Sequence, residues 1–271
     1  MGPWAHPVHP AGCAMSVRGA VRLVAVAVLI GLGTIIVRAT SPSTSSTSPS
    51  IGHAPSGVSV LVASPLAPVV AEMAPFDRIS SGTADALAAQ VIEGVPADVL
   101  VAADSATADA LHAKGLTGPP AVIAHDRLVI ITPSGNPARI YSIADLARPG
   151  VRLVIGSPGS AIGRYTRQAL AQLHASAALG NAVQQAADAA TITTTVVLGD
   201  ADAGIAYASQ AHVLGAKVHV VSIPTSAQPV ISDTAAVLAN APHPASALAF
   251  VGYLTGPNGR SYLRRFGFAV P

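Results

Sequence analysis

The sequence predicts an α/β fold built on a mainly parallel sheet. Short runs of β-branched and aliphatic residues recur along the chain, each followed by a stretch with helical spacing and a small or hydroxyl residue at its start. The composition is 51% hydrophobic but only 4% aromatic and 10% charged, which is a packed globular composition and not a disordered one. The 271 residues suffice for one large or two modest domains with a substantial core. In such a fold, ligands sit outside the carboxyl ends of the strands.

The N-terminus reads as a targeting segment. Arg18 and Arg22 precede an uncharged run from Leu23 to Val37, and Arg38 closes it. As a helix this run spans roughly 22 Å, short of the roughly 30 Å hydrocarbon core and at the upper end of a signal h-region. Residues 1–39 are therefore expected to be a cleaved export signal or an uncleaved anchor over 20–38 with snorkelling arginines, starting at Met1 or Met15. The single cysteine, Cys13, lies before the apolar run, so it is not a lipid-bearing residue; alone, it excludes an internal disulfide framework and a Cys-based zinc cluster. His6, His9 and Cys13 have no fourth ligand. Residues 40–57 form a tether rich in Ser, Thr and Pro, and the folded part is expected to begin near Val58.

From there each element has a local reason. Val58 to Ala63 is a short β-branched strand, and Ser64-Pro65 is expected to open a helix with proline at its first position. Thr83 opens a second helix through Gln90, and Ala97 to Ala102 is the next strand. Ser105 to Lys114 reads as a helix, Arg127 to Thr132 as a buried strand, Ile143 to Ala147 as a helical turn and Val151 to Ile155 as a strand. A loop over 156–163 is expected to lead into a helix from Arg164 to His174. Ala203 to Tyr207 and Lys217 to Val221 are strands, and helices over 244–255 and 259–266 close the chain. No internal repeat is visible in the sequence.

Several chemistries are excluded. Lysine and arginine total 15 against 13 acids, but Arg18, Arg22 and Arg38 fall in the N-terminal segment, leaving 12 basic and 13 acidic residues. No basic surface remains for nucleic acid. There is no Gly-x-Ser-x-Gly elbow, no His-Glu-x-x-His and no phosphate-loop lysine. The nine histidines are scattered without ligand spacing. What recurs is a strand that ends in small or hydroxyl residues opening a helix, at Ser64, Thr83 and 160–163. Helix N-termini offer free N–H groups and a partial positive charge, which suits an anion held without counter-ions; they are also ordinary caps.

Four blocks, in order, carry a resemblance across 58–271. They are Ala63-Ser64 with Leu66; Gln90 with Gly94, Pro96, Ala97, Asp98 and Val99; Ala201 to Ile205 with Tyr207; and Phe250, Tyr253, Leu254 and Gly259 with Arg265 to Phe268. The chain resembles the extracytoplasmic molybdate-binding receptors of ABC importers. The resemblance implies a two-lobed periplasmic-binding-protein fold of type II with two crossover strands, one lobe at 58–129 plus 228–271 and the other at 130–227. It implies a monomer, exported to the cell envelope, without cofactor, metal cation or enzymatic activity, that captures molybdate or tungstate for a membrane permease. Carried over by position, the site comprises the Ser64 and Thr83 hydroxyls, the Tyr207 phenol and backbone N–H groups near Ala84, Ile162, Gly163 and Ala189.

Two departures qualify that site. The second ligand serine of the family falls on Ala84, leaving Thr83 to substitute, and the segment from Ser64 to Thr83 is short. Asp85 then lies beside the site, where a carboxylate at about 6 Å repels a dianion by roughly 5 kcal/mol at an effective dielectric of about 20. Asp85 must point away, or the ligand is not a dianion. An alternative is a divergent module of the same fold that has lost oxyanion affinity and serves as a sensor or binds another small ligand.

Overall fold

The structure is a computed structural model that describes residues 52–75 and 78–271. The expectations for residues 1–39 and for most of the tether lie outside the described residues. Ordered contacts begin before Val58: the Ala54 N–H donates to the Met73 carbonyl at 2.8 Å, and the Tyr253 hydroxyl donates to the Gly52 carbonyl at 2.5 Å.

Among the described residues, ten strands form two five-stranded sheets. The first holds β1 (Ser59–Ala63), β2 (Arg78–Gly82), β3 (Val99–Ala102), β4 (Ala121–Asp126) and β10 (Ile231–Val237) in the order β2-β1-β3-β10-β4. The second holds β5 (Leu128–Pro133), β6 (Leu153–Gly156), β7 (Ala182–Ala186), β8 (Ala203–Tyr207) and β9 (Val218–Ser222) in the order β7-β6-β8-β5-β9. Each sheet is parallel except for its fourth strand, β10 or β5, which pairs antiparallel with both neighbours. Those two strands are the ones the chain delivers from the other sheet. The fold is thus α/β and two-lobed, with one topology used twice.

The repeat that the sequence hides shows itself at two acids. Asp98 and Asp202 each stand just before the third strand of their lobe. The Asp98 N–H donates to the Ser59 carbonyl at 2.8 Å while its carboxylate accepts from the Ser59 N–H at 2.8 Å. Asp202 does the same with Arg152, N–H to carbonyl at 2.8 Å and carboxylate to N–H at 2.8 Å, and adds an ion pair with the guanidinium. These acids register strands; they are not site groups.

The helices are α1 (Ala67–Met73), α2 (Ala84–Ile92), α3 (Ser105–Ala113), α4 (Ala161–Gln172), α5 (Ala189–Val197), α6 (Ala208–Leu214), α7 (Pro244–Thr255) and α8 (Pro257–Arg265). Two starts differ from expectation. Ser64-Pro65 does not open α1: residues 64–66 form a turn closed by the Leu66 N–H on the Ala63 carbonyl at 2.9 Å, and α1 begins at Ala67 with Pro68 in its first turn. Leu66, fully buried, is drawn into the core and fixes that turn. Helix α4 begins at Ala161, not Arg164, because Ser160 caps it.

Few aromatic residues are available, so the cores are made of small aliphatic ones. Leu61, Leu66, Met73, Leu87, Leu100 and Phe250 centre the first, and Leu128, Ile130, Leu153, Ile192 and Ile205 the second. Ile231 packs in the second core although its strand belongs to the first sheet, which marks the crossover. There the Gln228 amide accepts from the Leu128 N–H and donates to the Leu128 carbonyl, both at 2.8 Å, tying the two connecting segments together.

Candidate functional site

A cavity of about 40 Å³ lies where strand ends of both sheets meet. Ala63, Ser64, Gly82, Thr83, Ala84 and Asp85 line it from the first lobe, and Ser160, Ala161, Ile162, Asp188, Ala189 and Tyr207 from the second. One water-sized sphere needs roughly 10–15 Å³ by the same measure, so the space holds three or four oxygen-sized atoms. Among the described residues, neither lysine nor arginine lines it and no cluster of metal-ligating side chains exists.

Three helix N-termini border this cavity, and each is built the same way. The Thr83 hydroxyl accepts from the Ala86 N–H at 3.2 Å, the Ser160 hydroxyl from the Gly163 N–H at 3.1 Å, and the Asp188 carboxylate from the Thr191 N–H at 2.7 Å. In every case the cap takes the third N–H of the helix and leaves the first two without an intrahelical acceptor. The free donors on the cavity wall are therefore those of Ala84 and Asp85, of Ala161 and Ile162, and of Ala189. Their partial positive charge is the electrostatic counterpart of an anion.

This geometry revises one expected donor. Gly163 does not line the cavity, and its N–H is spent on Ser160. It is glycine for a packing reason: a Cβ there would lie 1.8 Å from the Ser157 carbonyl oxygen. Because α4 starts three residues earlier than expected, the donors move back to Ala161 and Ile162. Ala161 is absent from the expected donors for that reason alone; Ser160, a residue type favoured at helix N-caps, is the local signal of the earlier start.

The side-chain groups differ in readiness. Thr83 accepts as a cap, so its own hydrogen remains free to donate. The Ser64 hydroxyl donates to the Gly82 carbonyl at 3.1 Å, an oxygen that also receives the Ser64 N–H at 3.1 Å. Turning that hydroxyl toward the cavity leaves the carbonyl satisfied. Tyr207, 3% exposed at the end of β8, reaches the cavity from the opposite lobe. Burial holds its phenol well above the usual range, and Tyr165, Asp233, Asp126 and Asp104 add to the effect, so the group stays a protonated donor. Asp85, in the first turn of α2, is solvent-exposed at the rim.

A family profile described as bacterial extracellular solute-binding protein matches residues 78–269. The chain belongs to the bacterial extracellular solute-binding proteins. This solute-binding protein is 34% identical to the molybdate-binding protein ModA of Mycobacterium tuberculosis H37Rv over 188 residues, 68% of this chain and 70% of that one. It superposes on the periplasmic molybdate-binding protein of Azotobacter vinelandii with a TM-score of 0.71 at 21% identity, over 79% of this chain and 100% of that one. It also superposes on the sulfate-binding protein SubI of M. tuberculosis H37Rv with a TM-score of 0.67 at 19% identity, over 80% and 86% of the two chains. The two solved structures share the fold and are named for different anions.

Proposed function

We propose that the chain captures molybdate, and tungstate with it, outside the cytoplasm and presents the anion to an ABC permease in the membrane, performing no chemistry itself. The observation that carries this reading is the convergence of three capped helix N-termini and a buried phenol, from two lobes, on one cavity sized for a four-oxygen ion and free of cationic side chains. The 34% identity to a protein named for molybdate binding supports the choice of ion. Affinity would come from the Ser64, Thr83 and Tyr207 hydroxyls and the N–H groups of Ala84, Ala161, Ile162 and Ala189, each hydrogen bond to a charged acceptor contributing roughly 1.5–3 kcal/mol. Sulfate, a smaller tetrahedron, would leave some of those donors unpaired. We take the lobes as 58–129 plus 228–271 and 130–227, closing as a monomer about the paired crossover strands. Calorimetric titration with molybdate, tungstate and sulfate tests the reading; binding of the first two, with sulfate weaker, is expected, and heat from none of the three ends it.

A second reading, a module of this fold that no longer binds oxyanions, draws on Ala84, which lacks a hydroxyl, and on Asp85 at the rim. Ala84→Ser separates the two. Capture of molybdate by wild type, with a modest gain in the variant, supports the importer component; affinity that appears only in the variant supports the second reading.

A further inference from the structure

Five ion pairs occur among the described residues, and four join groups within one lobe. The fifth crosses the cleft. Arg164, one turn into α4 of the second lobe, donates from Nη2 to Asp104 Oδ2 at 3.3 Å, and Asp104 is the N-cap of α3 in the first lobe. Both partners stand next to the cavity wall in sequence: Ala103, which lines it, precedes Asp104, and Ala161 and Ile162 lie just before Arg164. Asp104 is 1% exposed, with Oδ1 held by the Thr107 N–H at 2.7 Å, while the Arg164 guanidinium is steadied by the Gly159 carbonyl at 2.6 Å.

We propose that Arg164 is a positioning residue that holds the two lobes closed over the captured anion by neutralising Asp104, an inference that rests on the anion-capture reading. In an open cleft both groups are free to be hydrated. Closure strips water from Asp104 and leaves a carboxylate beside an anion site, an arrangement that is strongly unfavourable without a partner. Arg164 supplies that partner only when the lobes meet, so the pair acts on the closed form. Neither Arg164 nor Asp104 lines the cavity, so the pair acts on closure and not by contact with the ion. Asp104 is buried while the Arg164 side chain is 47% exposed; removing the partner of the buried carboxylate acts mainly on dissociation, whereas rim charges act on association.

The test is release of radiolabelled molybdate into an unlabelled chase, with the association rate measured by rapid filtration. Arg164→Ala is expected to release the ion about tenfold faster with association nearly unchanged. Arg164→Lys should recover part of the loss. Asp104→Asn keeps the helix cap but removes the charge, so the double variant Arg164→Ala with Asp104→Asn should be less impaired than Arg164→Ala alone. Equal release rates in wild type and Arg164→Ala, or a double variant at least as impaired as Arg164→Ala alone, overturns the latch while leaving the capture reading intact. Failure of the wild-type protein to bind molybdate, tungstate or sulfate removes the capture reading and the latch with it.

Discussion

Tyr207 is the residue on which the proposed ion capture would depend most directly. It is the side-chain donor that the second lobe contributes to the cavity, and burial keeps its proton in place. Tyr207→Phe preserves the ring, and hence the packing at the end of β8, while deleting one donor to a charged acceptor. The loss of roughly 1.5–3 kcal/mol should weaken molybdate binding about ten- to hundredfold by calorimetry, with the melting temperature of the unliganded protein nearly unchanged. A variant that binds as tightly as wild type would show that the phenol does not reach the ion.

At the scale of elements, the site depends on where three helices begin. A cap that takes the third N–H of its helix decides which donors are left for the cavity, and close packing beneath α4 fixes that choice there. Gly163→Ala would press a Cβ onto the Ser157 carbonyl at 1.8 Å and the Gly156 carbonyl at 2.7 Å. The turn must then move, at a cost of about 2 kcal/mol or more, and a fall in melting temperature of about 4–8 °C is expected together with weaker binding. A stable variant with undiminished affinity would mean that the α4 start tolerates displacement. The fifth helix illustrates a different balance. Its sequence, Ala-Ala-Thr-Ile-Thr-Thr-Thr-Val-Val, is rich in β-branched residues, yet it is helical from Ala189 to Val197. Thr193 and Thr195 return their hydroxyls to the carbonyls of Ala190 and Thr191 at 2.8 Å, and Ile192 and Val196 are fully buried against the sheet. Burial overrides propensity here, and the Ala189 donor exists only because it does.

For the molecule as a whole, the crossover carries a titrating group. Burial raises the Asp126 carboxyl to about 6, against hydrogen bonds from Ser209 and Arg127 that lower it. The native chain holds this proton more tightly than the unfolded chain, so this group's contribution to stability falls as pH rises from about 4 to about 6, by an order of 3 kcal/mol. Asp126→Asn should flatten that decline in denaturant unfolding measured across pH 4 to 7; an unchanged slope would assign it to other groups. Asp98 acts in the opposite sense. Burial pushes its carboxyl up, but the Ser59 and His243 hydrogen bonds outweigh that and hold it below the ordinary range, so its contribution is lost only on strong acidification.

Much of this was written in the order of residues. The aliphatic runs marked the interior strands, since a strand buried on both faces must be continuously apolar, and the Thr83 cap announced α2 because a hydroxyl before a helix has a local partner in reach. Edge strands such as Arg78–Gly82 and Ala182–Ala186, largely exposed and partly polar, carry no such signature, for their partners lie elsewhere in the chain. By itself the sequence determined the α/β class, and the family resemblance it carries named Ser64, Thr83, Ala84, Ile162, Ala189 and Tyr207, which share one cavity. Only the tertiary structure decided that Arg164 meets Asp104 across the cleft, for these residues lie 60 positions apart in the chain, where distance is set by packing of the whole and not by local preference.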